Sequence, residues 1–508
     1  MRRYGLLALL MLLALSGCAR SASPDEMAPY RPAMQPAAQG QLEALGPLPR
    51  YDIWVRIDPA AKQQVTGWER VQVYHRGQDE LDELFFRLYP NLPRYGGSMS
   101  IGGVAVDDQS VPFSYAAEST AVHIPLPEPL PPGGTTSVEL RFDLGVIERE
   151  EGYTLCGESQ SILSLPLFYP VLAVRDERVG VPLWHLEIPP PHGDVAFVEA
   201  GLYQVTATVP SGIVVAGTGT VVSTTLSSEG EGWTEYHFVG GPRREFMLIL
   251  SPHFQTASTN ACGARVTSYF LAQDRATGLA ALHYAAAALR IYCQHYGPYP
   301  YRDMAVVSAP LQHYGMEYPG LNLIGLDLYR QQRDDLEFLI AHEVAHQWWY
   351  NVVGNDPLNY AWLDEGLAEY STYTYYQARY GVSAAERLLQ GRWRIPYRYA
   401  VEQGWDTVVN QPTSAFDSYN YETMVYAKAA LFFDGLRREV GDETYYRLLR
   451  EYLARHRWSE ATPSDFLAVA EEVSGCDLGA LYRQWILTAS DRAPDRKGEG
   501  RKTKEANP

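Results

Sequence analysis

Hydrophobic periodicity changes character near His253, and this change limits the chain to at least two differently built domains. Before it, short runs alternate apolar and polar residues, as in Val71-Gln-Val-Tyr74 and residues 203–209. Turn signals such as Pro131-Pro-Gly-Gly134 interrupt these runs. Repeated short runs with a period of two are typical of antiparallel sheets packed face to face. We therefore predict an N-terminal antiparallel β-sandwich over residues 50–252.

After this change the apolar residues follow helical spacing. Met304-Ala-Val-Val-Ser308 predicts a strand, and a charged, apolar-poor tail over residues 490–508 predicts disorder. The helical spacing predicts helices over residues 276–292, 334–350, 362–380, 426–439, 443–456 and 463–473. Together these elements predict a mainly helical α/β domain over residues 253–489.

The first residues have the pattern of an export signal. Arg2 and Arg3 precede an apolar run, residues 6–15, that is too short to span a bilayer. Leu15-Ser-Gly-Cys18 is similar to a bacterial lipobox, which implies a signal peptide over residues 1–17 and lipidation of Cys18. An ordinary signal peptide with an incidental cysteine is the alternative. We expect an exported protein, anchored by lipid at the cell surface or the periplasmic face of a bacterial membrane.

Residues 18–49 are rich in Pro, Ala, Ser and Gln, so we expect them to form a flexible tether between lipid and folded body. The net charge of −18, without a basic stripe in the globular part, excludes nucleic acid as a partner. Besides Cys18 the chain has Cys156, Cys262, Cys293 and Cys476. Disulfide pairing among these four and buried free thiols both stay open, as does the oligomeric state.

The segment His342-Glu343-Val344-Ala345-His346 lies inside one predicted helix. Positions four apart share a helix face, so both imidazoles can reach one ion. Glu343 then projects beside the open coordination position, where it can accept a proton from a water molecule that attacks a carbonyl. A chance match would bury two histidines and a carboxylate without compensation, which is costly. The motif therefore predicts one zinc ion per chain.

Two histidines are too few for a tight catalytic zinc site, which needs a third protein ligand. The helix predicted over residues 362–380 offers Asp364, Glu365 and Glu369. An antiparallel return of this helix would bring one of these carboxylates to the ion. Spacing alone does not choose among the three.

His342-Glu-Val-Ala-His346 followed by eighteen residues and Glu365 resembles the signature of the M1 aminopeptidase family. The resemblance implies that Glu365 is the third ligand and that the helical domain is thermolysin-like. It also implies zinc-dependent hydrolysis of peptide substrates at their N-terminus, with Glu343 as the general base. Glu369, one turn later, is then placed to orient a histidine ligand, with a solvent-facing role as the alternative.

Tyr314-Gly315-Met316-Glu317-Tyr318 is similar to the Gly-Ala-Met-Glu-Asn segment of that family, an edge strand that binds peptide backbone. The similarity implies that Gly315, Met316 and Glu317 bind substrate, with Glu317 holding the free α-ammonium group. This copy lacks the Ala before Met316 and has Tyr318 in place of Asn. Strict removal of single N-terminal residues is therefore left open.

Val425-Tyr426-Ala427-Lys428-Ala429 resembles the family segment whose tyrosine donates a hydrogen bond to the developing oxyanion. A phenol suits this role because it is neutral at working pH and is a good donor. The resemblance implies Tyr426, with Tyr419 and Tyr421 as competitors.

The resemblance covers residues 51–489 and is strongest over residues 297–370. The sequence given ends before the long helical domain that many members carry, so we expect a more open site. Three rival functions stay open: a zinc endopeptidase, a hydrolase of non-peptide substrates such as epoxides, and a surface binding protein without catalysis.

Overall fold

The computed structural model of the chain describes residues 26–61, 64–148, 155–177, 183–227, 230–311, 315–331, 334–417 and 420–490. The predicted signal peptide, Cys18 and the predicted tail from residue 491 lie outside these residues, as do Tyr314 and Tyr419.

Strands dominate the chain from residue 50 to residue 251. In chain order they are β1 (Arg50–Ile57), β2 (Val65–Tyr74), β3 (Leu81–Arg87), β4 (Ser98–Val106), β5 (Gln109–Ser110), β6 (Ser114–Ala116), β7 (Ala121–Leu130), β8 (Thr135–Gly145), β9 (Ile147–Glu148), β10 (Gly157–Ser159), β11 (Ile162–Pro166), β12 (Val171–Leu172), β13 (Arg175–Asp176), β14 (Leu183–Trp184), β15 (Gly201–Pro210), β16 (Val214–Gly217), β17 (Thr220–Leu226), β18 (Trp233–Arg243) and β19 (Met247–Ser251).

These strands build the predicted sandwich, which is confirmed. An eight-stranded sheet has the order β17-β18-β15-β1-β2-β8-β4-β5, and two smaller sheets have the orders β12-β3-β7-β6 and β16-β19-β11-β10-β9. Ile53, Val71 and Leu140 of the large sheet share one buried core with Phe86 and Leu248 of the smaller sheets. The alternation seen in the sequence therefore places every second side chain in this core.

Two strand pairs of the sandwich, β1–β15 and the short pair β9–β10, depart from the antiparallel prediction. β1 and β15 run parallel, with Arg50 opposite Leu202 and Arg56 opposite Thr208. A parallel pair needs a long crossover connection, and here residues 58–200 lie between the two strands. The local pattern of each strand does not reveal this pairing, because it is set by the rest of the domain.

The second predicted domain, residues 253–489, has its own sheet and a set of helices, and we call it the catalytic domain after its predicted function. The sheet has the order β20-β21-β22-β24-β23. Its strands are β20 (Phe254–Ala261), β21 (Ala264–Leu271), β22 (Asp303–Ala309), β23 (Gly315–Met316) and β24 (Leu321–Gly325). The α-helices are α1 (Gln39–Glu43), α2 (Arg275–Tyr296), α3 (Leu326–Arg330), α4 (Leu336–Ala345), α5 (Pro357–Tyr360), α6 (Trp362–Tyr380), α7 (Val382–Leu388), α8 (Ile395–Gln403), α9 (Ala429–Val440), α10 (Asp442–Arg455), α11 (Pro463–Ser474) and α12 (Gly479–Tyr482).

Wider π-helical turns join some of these helices, at Leu389–Arg394, Thr423–Lys428 and Arg483–Leu487. None of the helices in the described part of the chain is both long and apolar enough to cross a membrane.

Strand β19 joins the two domains because both of its faces are buried. Leu248 and Leu250 belong to the sandwich core, whereas Met247 and Ile249 pack in a second core with Leu323 of the catalytic sheet. A strand covered on both sides is expected to be continuously apolar. The run Met247-Leu-Ile-Leu250 therefore marks a layer shared by the two domains.

The helix predicted over residues 334–350 is shorter than expected. α4 ends at Ala345 and leaves His346 at its C-cap. The chain then turns back, with the Asn351 N–H donating to the His346 carbonyl at 3.1 Å and Tyr350 at a φ of 94°. Apolar spacing continues through this turn because Trp348 and Trp349 are buried, so the pattern alone overstates the helix.

A disulfide joins Cys262 to Cys293 and so ties the β20–β21 turn to α2. Cys156 and Cys476 are free thiols. The spacing of the cysteines along the chain left this pairing open.

The tether prediction is wrong from residue 27 onward. Met27, Tyr30, Met34 and Leu42 are buried in the catalytic core, with Met34 at 0% exposure. The Gln35 side-chain amide donates to the carbonyls of Cys262, Tyr299 and Tyr301. Short 3-10 turns space these anchors irregularly, so no helical or strand period shows in the sequence. We call residues 27–43 the N-terminal strap.

Truncation of one strap anchor should destabilise the protein. Met34→Ala removes a fully buried thioether that packs against Gly241, and leaves the backbone bridge between residue 34 and Tyr301 in place. We expect a loss of about 2 to 5 kcal/mol in the free energy of unfolding, because a cavity remains. Calorimetric melting would measure this loss, with the exposed Ala37→Ser as the control. An unchanged melting temperature in Met34→Ala would contradict the packing of the strap.

Candidate active site

Two helices bring three side-chain atoms to one point. His342 lies in α4, His346 at its C-terminal end, and Glu365 in the first turn of α6. His342 Nε2 lies 3.1 Å from His346 Nε2 and 3.2 Å from Glu365 Oε2. His346 Nε2 lies 3.3 Å from the same carboxylate oxygen. The three atoms therefore form a nearly equilateral triangle.

This triangle has the size that a tetrahedral zinc ion requires. With bonds of about 2.0 to 2.1 Å, neighbouring ligands of a tetrahedron lie about 3.3 Å apart. Burial would raise the pKa of Glu365, but hydrogen bonds from His342 and His346 lower it below the ordinary value. The carboxylate is therefore ionised, as a ligand must be. The three residues fit the ion, and the predicted zinc site is confirmed.

Contacts behind the ligands fix which ring nitrogen faces the ion. His346 Nδ1 lies 3.1 Å from the Trp349 carbonyl. His342 Nδ1 lies 3.0 Å from Glu369 Oε2, at an angle too bent for a well-formed hydrogen bond. Glu369 Oε1 also accepts a hydrogen bond of 2.6 Å from Trp393 Nε1. Both Nε2 atoms are thereby left for the metal. Because Glu369 is only 7% exposed, its solvent-facing alternative is wrong.

Tyr292 of α2 holds the two ligand helices together. Its hydroxyl lies 2.8 Å from the carbonyl of Ala341 in α4 and 3.2 Å from the carbonyl of Ser371 in α6. The ring is fully buried. One phenol thus stabilises the relative position of the two helices, next to His342.

Glu343 lies in the buried cleft beside the ligands. Burial raises the pKa of its carboxyl to about 8; His342 opposes this effect, and the carboxylate of Glu317 adds to it. A divalent cation nearby would lower this pKa, because it favours the ionised form.

Gly315 packs directly against this carboxylate. A Cβ at residue 315 would lie 2.1 Å from Glu343 Oε1, a distance that no real contact has. Only glycine leaves room for the carboxylate in this position.

The predicted substrate segment is an edge strand of the catalytic sheet. Gly315 and Met316 form β23, which pairs antiparallel with β24. The Asn351 amide donates to the Glu317 carbonyl at 2.7 Å, so the strand is fixed to the turn after α4. Burial raises the pKa of Glu317, and the carboxylate of Glu365 adds to this effect while His346 opposes it. Such a carboxylate is suited to a cationic partner.

Tyr426 is the tyrosine that touches the zinc ligands. Its hydroxyl donates a hydrogen bond of 2.5 Å to Glu365 Oε1, the carboxylate oxygen outside the triangle. Tyr421 packs edge-on against the Tyr426 ring, with centroids 6.1 Å apart. The geometry thus favours Tyr426 over Tyr421 as the oxyanion donor, and its catalytic role stays a prediction.

Two adjacent arginines of the sandwich domain fix the turns that flank the zinc site. Arg243 Nη1 donates to the Pro319 carbonyl at 2.6 Å, just after Glu317. Arg244 Nε donates to the Tyr350 carbonyl at 2.6 Å, just after α4. Both side chains are fully buried.

Sequence reasoning missed this pair. Two adjacent arginines at the end of a strand are predicted to be exposed unless the domain that covers them is known. Its only signal in the sequence is that the buried apolar run of β19 follows directly.

Comparison with known proteins identifies this architecture. The profile of the peptidase family M1 domain matches residues 280–485. Residues 280–485 match this family model, and we call them the M1 domain. The zinc triangle, Glu343, Glu317 and Tyr426 all lie in this M1 domain.

Curated relatives extend over parts of the chain. Aminopeptidase N of Lactococcus lactis is 24% identical over 435 residues, which cover 76% of this chain and 46% of that protein. Aminopeptidase M1 of Arabidopsis thaliana is 25% identical over 248 residues, which cover 44% of this chain and 27% of that protein. The chain thus spans less than half the length of these relatives.

Solved structures share the fold over nearly the whole molecule. An M1 zinc metallopeptidase from Deinococcus radiodurans superposes with a TM-score of 0.64 at 18% identity, covering 86% of this chain and 93% of that one. A two-domain M1 zinc metallopeptidase bound to L-arginine superposes equally well, at 17% identity, covering 88% and 95%. The sandwich followed by the M1 domain is therefore a known two-domain arrangement.

The contact between Gly315 and the Glu343 carboxylate predicts that a substitution of Gly315 lowers activity without loss of zinc. Gly315→Ala forces the Glu343 carboxylate out of its position, so we expect kcat to fall about 10-fold or more while zinc content stays at one per chain. Gly103→Ala is the matched control, because a Cβ on this strand glycine meets no atom within 4 Å. Peptidase kinetics and elemental analysis would measure both effects. Full activity in Gly315→Ala would contradict the placement of Glu343.

Proposed function

We propose that the protein is a zinc aminopeptidase that hydrolyses N-terminal residues from peptides. The observation that carries this proposal is the zinc triangle with Glu343 and the edge strand of Glu317 beside it. The M1 domain match supports the reaction class, and the names of the curated relatives support removal of N-terminal residues.

Glu343 and Tyr426, which lie near the triangle, each have a role in the proposed reaction. A bound zinc ion supplies Lewis-acid polarisation of the scissile carbonyl and lowers the pKa of water. Glu343 accepts the proton of the attacking water and passes it to the leaving amine. Tyr426, which donates to Glu365 Oε1 at 2.5 Å, turns its hydroxyl to the developing oxyanion.

The edge strand positions the substrate. The free edge of β23 offers backbone groups to an extended peptide. Glu317 then binds the α-ammonium group at a fixed distance from the metal, which selects the first peptide bond. An internal segment of a peptide carries no cation there. The burial of Glu317, a residue that is 8% exposed, therefore favours an aminopeptidase over an endopeptidase.

Replacement of the base tests the mechanism. Glu343→Gln keeps the shape of the site but cannot accept a proton, so we expect kcat/KM on aminoacyl substrates to fall about 10³-fold or more with zinc retained. Tyr426→Phe should lose about 10² to 10³-fold through the missing oxyanion donor. Glu422→Gln, an exposed glutamate near Tyr421, is the control.

Three results would overturn the proposal. Full activity in Glu343→Gln would refute the base. Cleavage of N-acetylated peptides as fast as free ones would favour the endopeptidase, and zinc binding without hydrolysis would favour a binding protein.

We further propose that the protein is exported and anchored through a lipid on Cys18. The support is the charged start, the short apolar run and the Leu15-Ser-Gly-Cys18 segment. Packed structure is present by Met27, so the folded body begins close to this cysteine.

Metabolic labelling tests the anchor. Wild-type protein expressed in a bacterium should incorporate radioactive palmitate and sediment with membranes, because an acyl chain gains free energy in the bilayer. Cys18→Ser should lose the label. Cys476→Ser, which removes another free thiol, is the control. A labelled Cys18→Ser variant, or an unlabelled wild type, would contradict the proposal.

A further inference from the structure

A loop of the sandwich domain reaches the zinc cleft. Residues 191–200 have no regular secondary structure and lie between the two domains. The Tyr350 hydroxyl donates to the Ala196 carbonyl at 3.1 Å, and Arg244 Nη1 donates to the Val198 carbonyl at 3.3 Å. His192 Nε2 lies 3.0 Å from the Thr413 carbonyl. The catalytic domain thus contacts the loop at His192 and Ala196, and Arg244 of the sandwich domain fixes it at Val198.

At Gly193 this loop packs closely against the tyrosines of the active site. This glycine has a φ of +76°, and a Cβ there would lie 2.6 Å from the Tyr421 hydroxyl. The Tyr421 ring packs on Tyr426, whose ring centroid is 5.9 Å from that of His342. The next residue, Asp194, therefore stands beside the zinc site, although it belongs to the other domain.

Three polar atoms in this region are buried without a hydrogen-bond partner among the described residues. They are Asp194 Oδ2, Asp364 Oδ2 and the Tyr421 hydroxyl. Asp364 is 1% exposed and Tyr421 4% exposed. Buried polar atoms are normally paired, so three together indicate a place where a ligand group completes the bonding.

The charges indicate what this ligand group is. Five carboxylates surround the cleft: Asp194, Glu317, Glu343, Asp364 and Glu365. A zinc ion carries two positive charges, a substrate α-ammonium group one, and the Arg94 guanidinium near Asp194 one, which leaves one of the five carboxylates without compensation. Burial raises the pKa of Asp194, and the carboxylates of Glu317, Glu365 and Asp364 add to this effect more than Arg94 opposes it. A further cation on the substrate would relieve this repulsion.

We propose that Asp194 and the Tyr421 hydroxyl form a subsite for the cationic side chain of an N-terminal lysine or arginine, with Asp364 as a nearby charge. The proposal rests on the aminopeptidase function and names its substrate class. The α-ammonium group goes to Glu317, because Glu317 is continuous with the strand that binds the main chain. Asp194 comes from the sandwich domain and lies beside Tyr421. Because Glu317 binds the α-ammonium group, the cation left for Asp194 is the side chain of the first substrate residue.

The test compares substrates that differ only in the charge of the first side chain. Lysyl and norleucyl amides have similar length, and arginyl and leucyl amides extend the comparison. The zinc-loaded wild type should cleave the lysyl amide at least 10-fold better, in kcat/KM, than the norleucyl amide. Asp194→Asn should lose about 10 to 30-fold on the lysyl and arginyl amides and less than 3-fold on the neutral ones. Tyr421→Phe should show a smaller loss with the same selectivity.

Asp334→Asn, an exposed aspartate, is the matched control and should leave all four rates unchanged. Zinc content and melting temperature of Asp194→Asn should equal those of the wild type. Equal losses on cationic and neutral substrates would assign Asp194 to the α-ammonium group or to the structure and overturn the proposal. Unchanged selectivity in Asp194→Asn would overturn it as well.

A binding measurement separates this proposal from the proposed function. Calorimetric titration of the zinc-loaded protein with L-lysine and L-norleucine needs no turnover. Tighter binding of L-lysine that Asp194→Asn removes would support the subsite even if no amide were cleaved. Absence of cleavage would then count against the aminopeptidase function alone, and equal binding of the two amino acids would refute the subsite.

Discussion

The whole arrangement depends on two imidazoles and one carboxylate that approach within about 3.3 Å of one another, the spacing that a tetrahedral ion requires. Such a cluster is costly without a metal, because each polar group is removed from water. The spacing of four residues within α4 supplies the two histidines, and the return of α6 supplies Glu365. Tyr292 and Glu369 hold this geometry from behind.

The sandwich domain supports the active site through direct contacts. Arg243 and Arg244 reach from the end of β18 into the M1 domain and fix the turns after Glu317 and after α4. β19 shares its two faces between the cores of both domains. The N-terminal strap, which precedes the sandwich in the chain, packs into the core of the catalytic domain. We therefore expect the two domains to melt together.

Local patterns in the sequence were sufficient to predict both helices that carry the ligands, although not the end of α4. The bounds of α6, Trp362–Tyr380, agree with the sequence prediction, because helical spacing and the terminal glycine are local signals. The choice of Glu365 needed the family resemblance. The strap, the disulfide, the arginine pair and Asp194 were not predictable, since each depends on contacts between residues far apart in the chain. α4 was predicted too long because buried tryptophans continued its apolar pattern.

X-ray absorption at the zinc edge tests the central claim most directly. The account predicts one zinc per chain with two nitrogen and one or two oxygen neighbours at about 2.0 to 2.2 Å and no sulfur. His346→Ala and Glu365→Ala should each abolish stoichiometric zinc. Sulfur neighbours in the spectrum, or full zinc content in both variants, would show that the ion is held elsewhere in the chain.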